Sequence, residues 1–290
     1  LLSTKFFCFY FKILRKMNTY IRIMLSIFII ATASCEDVID VELQSAPIRL
    51  TVEASIDWIK ETTGNQQSIK LSTSTPYFKG SENTVVTGAL VKITNDLEGT
   101  EFIFVDQNNG TYTTTAFEPI LNQSYTLEVI YEGEVYTANE TMTGVTDILK
   151  INQSKNKGFD DQELEVNVVF QDPEDEINYY FFKFQKRGNL LPYLEDGDDE
   201  FVNGNEISWW YEDEESGLVP GDIVDIDFYG VSESYYNYLR ILIEQNEGGG
   251  LFSSTPVALK GNCLNLTSPD NFAYGYFRLT QVVKTSYTLE

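Results

Sequence analysis

Strict side-chain alternation, hairpin turns at short intervals and a single stretch of helical periodicity predict a mainly β protein. The expected order is an N-terminal immunoglobulin-like β-sandwich followed by a second β-rich domain with one amphipathic helix. From Ile48 onward, Ile48, Leu50, Val52, Ala54 and Ile56 fall on one face and Arg49, Thr51, Glu53, Ser55 and Asp57 on the other, the period of a half-buried strand. Asn108-Asn109-Gly110 and Glu132-Gly133 stand where hairpins would turn.

Ahead of the strands lies a leader. Residues 1–34 hold Lys5, Lys12, Arg15, Lys16 and Arg22, no acidic residue, and then the apolar run Met24 to Ala33. This basic-then-apolar order is that of an export signal. Ten apolar residues in a helix cover about 15 Å, roughly half of a bilayer's hydrocarbon core, so the run is too short for a permanent span. Ala31, Thr32, Ala33 and Ser34 lead into Cys35, an arrangement that resembles the lipobox of bacterial lipoproteins. It implies cleavage before Cys35 and acylation of its thiol, and more than one acyl chain suffices for stable anchoring. Thr32 departs from the usual leucine of that motif. Met17 is the more natural start, which would place residues 1–16 upstream. Residues 35–47 then read as an acidic tether.

Strand candidates follow at Ile69–Ser72, Ala89–Thr94, Glu101–Val105, Tyr125–Tyr131 and Val135–Ala138, giving the first sandwich over 48–146. Residues 147–161 are polar and read as a linker. The second domain, 162–290, opens with alternating Leu164, Val166, Val168 and Phe170, and returns through Tyr179–Phe184. Further strands are expected at Ile207–Tyr211, Val224–Phe228 and Ala273–Val283. Between them Tyr235, Leu239, Leu242 and Ile243 recur at helical spacing behind a Ser232 cap, which predicts a helix over 232–246.

Charge and composition narrow the function. The chain has 20 basic and 44 acidic residues; subtracting the five leader cations leaves 15 against 44, a formal charge of −29. Such a surface repels nucleic acid and anionic lipid. The chain has no histidine, which removes His-based triads, His metal ligands and the commonest general base. Of three cysteines, Cys8 and Cys35 fall in the leader and at the anchor, so Cys263 is alone and is expected to be a buried free thiol. There is no Gly-rich phosphate loop, Cys-pair metal motif or Ser elbow, and no cofactor is expected.

Two sets of residues could bind something. Trp209-Trp210-Tyr211 could form a stacking platform, although in a strand Trp209 and Tyr211 face one side and Trp210 the other, so at least one ring belongs to a core. Asp196, Asp198, Asp199 and Glu200 are the candidates for a calcium site, with Glu212–Glu215 a second acidic cluster. The EF-hand spacing fails at Phe201, which stands where that loop needs glycine, and a solvated acidic loop is the plainer reading.

A wider resemblance rests on Gly88-Ala89-Leu90-Val91, Asn109-Gly110-Thr111-Tyr112, Tyr125-Thr126-Leu127, Asn178-Tyr179-Tyr180, Tyr236-Asn237-Tyr238-Leu239, the Pro256 segment and Gly275-Tyr276-Phe277. In this order they resemble a Bacteroidota family of outer-membrane lipoproteins, a domain of unknown function often encoded beside TonB-dependent receptors. The resemblance implies a lipoprotein on the surface or the periplasmic face of the outer membrane that works with a β-barrel transporter. Together with the anchor and the strand pattern it leads to the expectation of a non-enzymatic accessory, lipid-anchored and exposed at the cell surface, that binds a ligand or caps a TonB-dependent transporter. It implies no catalytic residue. The alternatives are a surface adhesin or structural module, and a carboxylate-based hydrolase.

Overall fold

Residues 47–75, 84–155, 163–174, 176–214, 216–247 and 259–290, together with Met24, are described by the structure, a computed structural model. Cys35, the tether to residue 46 and the Pro256 segment lie outside the described residues.

The alternation at Ile48 becomes β1 (Leu50–Ile59), in which Leu50, Val52, Ala54 and Ile56 are buried. It is followed by β2 (Gln67–Thr73), β3 (Leu90–Asn95), β4 (Glu101–Asp106), β5 (Thr111–Thr114), β6 (Ser124–Tyr131) and β7 (Glu134–Thr141). Strands β1-β2-β5 form one layer and β4-β3-β6-β7 the other, joined where Val105 and Asp106 of β4 pair with β5. Valine, isoleucine and phenylalanine from both layers fill the core between them. Tyr125, at the start of β6, donates its hydroxyl to the Glu118 carbonyl (2.8 Å) and accepts from the Ile120 amide (2.9 Å). This is the tyrosine corner of immunoglobulin-like sandwiches.

The second half repeats the plan. Its strands are β8 (Ile148–Ser154), β9 (Glu165–Gln171), β10 (Tyr179–Lys186), β11 (Tyr193–Asp198), β12 (Glu206–Tyr211), β13 (Ile223–Val231) and, after an excursion, β15 (Tyr274–Thr288). Here β8-β9-β12 face β11-β10-β13-β15. In both halves the first, second and fifth strands make one layer and the fourth, third, sixth and seventh the other. The expected linker over 147–161 is corrected over Ile148–Ser154 by β8, in which Ile148 and Ile151 pack on the second core while Leu149 and Lys150 face outward, as in an edge strand; the linker's residues 156–161 lie outside the described residues. Strand β11 likewise replaces the acidic loop expected at 195–198.

The excursion joins the halves. Helix α1 (Glu233–Glu247) starts at Ser232, whose Oγ accepts from the Tyr235 amide (3.2 Å), the cap expected. Tyr236 and Leu239 are buried on its inner face with Tyr235 and Ile243 beside them, whereas Leu242, expected to be inward, is 43% exposed. The chain then adds β14 (Leu264–Asn265) to the edge of β7 and inserts Cys263, Ala273, Phe277 and Leu279 into the first core. Strand β15 pairs in parallel with β1 from Thr51↔Tyr274 to Ile59↔Val282, and antiparallel with β13 from Tyr229↔Val282 to Ile223↔Thr288. One strand therefore extends the first sandwich and completes the second. Gly275 permits the close approach: its φ is +89° and a Cβ there would lie 2.0 Å from the Val52 carbonyl oxygen. Residues Ala46–Glu290 form one compact unit. Among the described residues no helix is long and apolar enough to cross a membrane.

Candidate functional site

The sequence candidates all fall in the second sandwich, on β11, β12 and the loops they bound. Trp209 and Tyr211 point inward. Trp209 stacks on Phe182 (5.4 Å between ring centroids) and lies over Gly197 of β11, where a Cβ would come within 1.8 Å of the indole. Tyr211 is 3% exposed and stacks on Phe184 (5.0 Å, 3° between planes). The expected platform is corrected on these two rings: β12 is one layer of a sandwich, and its inner face is core. Trp210 alternates to the outer face and is half-buried.

The acidic run is split by the same alternation. Asp196 and Asp198 are half-buried residues of one face of β11, and Glu200 is exposed. Asp198 accepts hydrogen bonds from the Tyr236 hydroxyl (2.8 Å) and the Glu200 amide (3.1 Å). Asp199 turns the other way and is fully buried. Among the described residues no group of three or more acidic, Cys or His side chains is arranged around a metal position. The contiguous calcium loop of Asp196, Asp198, Asp199 and Glu200 does not form, because a strand sends alternate side chains to opposite faces.

At the other end of β11 and β12 lies a cleft of about 520 Å³ lined by Asn189–Tyr193 and Tyr211–Glu214. Its wall is the β10–β11 hairpin tip, where Leu190 is 94% and Leu191 73% exposed. Its floor is aromatic, with Tyr193 tilted on Tyr211 at 5.6 Å. Glu212, Asp213 and Glu214 also line a neighbouring hollow of about 580 Å³ with Glu163, Leu164, Ser216 and Gly217. Buried Asp213 is fixed there: Ser216 Oγ donates to it (2.6 Å) and Lys186 Nζ lies 3.2 Å away. Burial pushes the Asp213 carboxyl up, but the hydrogen bonds from Ser216, Lys186 and Asn189 hold it below the usual range. Lys186 also pairs with Asp222 at 3.2 Å and donates to the Gly217 carbonyl at 2.6 Å. An aspartate so held is a weak base and a structural anion. The cleft offers apolar tips, the exposed part of Tyr193 and carboxylates.

Sequence reasoning found Glu212–Glu215 but missed the Leu190-Leu191-Pro192 tip. Its signal was an apolar pair at a turn, where polar residues are usual. Cys263 is buried as expected, and burial raises its thiol to about 12, which leaves it inert at neutral pH.

A family model, "Domain of unknown function (DUF4249)", matches residues 36–286, and the chain belongs to that family. No curated protein matches it. Similar solved structures include a two fibronectin type-III domain segment from chicken tenascin, at 12% identity over 64% of this chain and 90% of that one, TM-score 0.21. A cytokine receptor complex is 7% identical over 82% and 95%, TM-score 0.28. A DUF4785 family protein from Legionella pneumophila is 8% identical over 62% and 52%, TM-score 0.26. At such TM-scores these likenesses carry no argument about function.

Proposed function

We propose that this member of the DUF4249 family is a non-enzymatic accessory protein, held at the outer membrane by acyl chains on Cys35, that docks on a TonB-dependent β-barrel transporter or binds a ligand for it. The export leader and the small residues before Cys35 support the anchor, and the resemblance to Bacteroidota outer-membrane lipoproteins supports the partner. The observation that carries the binding reading is the hairpin tip, where Leu190 and Leu191 stand almost free of protein contact beside the carboxylates of the cleft. Large apolar side chains so exposed mark an interaction surface. Carboxylates next to them favour a partner segment that is apolar and basic. A chain without histidine, whose cleft aspartate is held ionised by Lys186, is ill suited to acid–base catalysis.

Affinity purification through this protein from native outer membranes, with mass spectrometry of its N-terminus, tests the proposal. An acylated Cys35 and a co-purifying β-barrel are expected, with the β-barrel lost from a Leu190→Ser, Leu191→Ser variant that still folds. Recovery of the unmodified, unaccompanied protein would sink both anchor and partner. Capture of polysaccharide with no transporter would replace this reading with that of an adhesin.

A further inference from the structure

The loops joining β9 to β10 and β11 to β12 enclose polar atoms that the second sandwich does not need for its own packing. Asp172 is 2% exposed and Asp199 fully buried. Their carboxyls lie within hydrogen-bonding reach of each other, and among the described residues neither is paired with a Lys or Arg. Two carboxylates buried in contact without a cation repel each other and lose their hydration, which is unfavourable.

The remaining contacts orient oxygens and leave them unused. Asp199 Oδ2 accepts from the Asn178 amide (3.0 Å), while its Oδ1 is buried and has no donor. Asp172 accepts from the Gly204 amide (2.8 Å) and from the Tyr180 hydroxyl. Asn203 donates its Nδ2 to the Glu176 carbonyl (3.0 Å), which fixes its amide, and its Oδ1 is buried without a donor. Asn178 directs Nδ2 to Glu176 Oε1 (3.4 Å), and its Oδ1 is buried and unpartnered as well. Three orphaned oxygens on two laced loops, two of them amide carbonyls, are acceptors without a donor, and their lone pairs suit a hard cation.

We infer that Asp172, Asp199, Asn178 and Asn203 form a calcium site that pins the β9–β10 loop to the β11–β12 loop. Calcium accepts six to eight oxygens in flexible geometry and readily mixes carboxylates with amide carbonyls, whereas magnesium demands a tight octahedron and keeps its waters. Two carboxylates balance the ion's charge. The site draws one residue, Asp199, from the acidic run and takes its other ligands from a second loop, which is why no linear motif announces it.

The test uses the full chain stripped with EGTA. Calorimetric titration with calcium should show one saturable site, with an affinity on the order of 10⁻⁴–10⁻³ M as in extracellular modules. The Tm should rise by roughly 5 °C at calcium a hundredfold above Kd. Asp199→Asn should melt at or above the wild type in calcium-free buffer, since it removes a carboxylate pressed on another, yet bind calcium at least tenfold more weakly. Asn203→Ala should weaken binding in the same direction, which covers the case of an unfolded Asp199→Asn. Glu214→Gln, in the distant cleft, should bind as the wild type does. The inference fails if the wild type shows no saturable binding, if magnesium gives the same Tm rise at equal concentration, or if folded Asp199→Asn and Asn203→Ala retain wild-type affinity. The first of these would mean that the two aspartates hold no ion.

Discussion

The two sandwiches follow one strand order and are stabilised differently. The first is filled mostly by Val, Ile, Leu and Phe, and most of its charges lie outside, as where Lys92 meets Glu101 at 2.7 Å and Glu128 at 3.4 Å; its buried charges, Glu140 and the Arg278 that pairs with Asp57, sit at the seam with the second sandwich. The second is an aromatic stack, in which Phe182 lies 4.5 Å from Phe228 and 5.4 Å from both Phe184 and Trp209. It also buries ions, as in the Lys186–Asp213 pair. The same topology thus tolerates a plain core in one copy and a polar, aromatic interior in the other. The features on which the proposed binding rests lie with the second kind of interior, since buried charge and exposed apolar tips are both unfavourable for folding alone.

The largest expected effect tests whether the copies are energetically one. Phe182→Ala should destabilise by about 3–5 kcal/mol through the cavity it leaves. Because β15 belongs to both sandwiches, calorimetry should still show a single transition at lower temperature. Two separated transitions would mean that the shared strand does not couple them. Lys186→Met should cost about 3 kcal/mol in urea unfolding, since it deprives buried Asp213 of its ammonium partner; a cost near that of a surface pair would contradict this. Tyr125→Phe, which removes the hydroxyl at the corner of the first sandwich, should cost about 1–3 kcal/mol by leaving the Glu118 carbonyl and Ile120 amide unpaired.

Glu140 sharpens the comparison at the seam, where it accepts from Ser232 (3.0 Å) and Tyr276 (3.1 Å). Burial raises its carboxyl above the ordinary value. An acid whose folded pKa is raised stabilises the fold below its unfolded pKa and loses that contribution as pH rises through the folded one. Glu140→Gln should therefore be more stable than the wild type at pH 7, with the advantage shrinking on acidification toward the usual carboxylate range. An advantage that grows on acidification would reverse the assignment. Smallest of all, Lys92→Met should change stability by no more than about 0.5 kcal/mol, and the change should fade in high salt.

Much of this was legible along the chain. Alternation located β1, β9 and β13 because each buries one face or both, and Ser232 with the spacing to Leu239 located α1. The strands missed, β8 and β11, are both sheet edges. An edge strand meets solvent along one side and blunts it with charge, so Ile148-Leu-Lys-Ile and Tyr193-Leu-Glu-Asp read as linker and acidic loop. Four-residue β5 was too short to show a period. The pairing of β15 with β1 spans more than 200 residues and leaves no local pattern. Trp209 and Tyr211 illustrate a different limit: their alternation is local, but which face is covered depends on the layer packed against it.

That shared strand also decides how the molecule would bear load. A pull applied at the start of β1 and resisted in the second sandwich runs lengthwise along the nine registered positions from Thr51↔Tyr274 to Ile59↔Val282. Parallel neighbours loaded from opposite ends must slide past each other, so their hydrogen bonds yield together and not one after another. The arrangement is a lap joint rather than a zip.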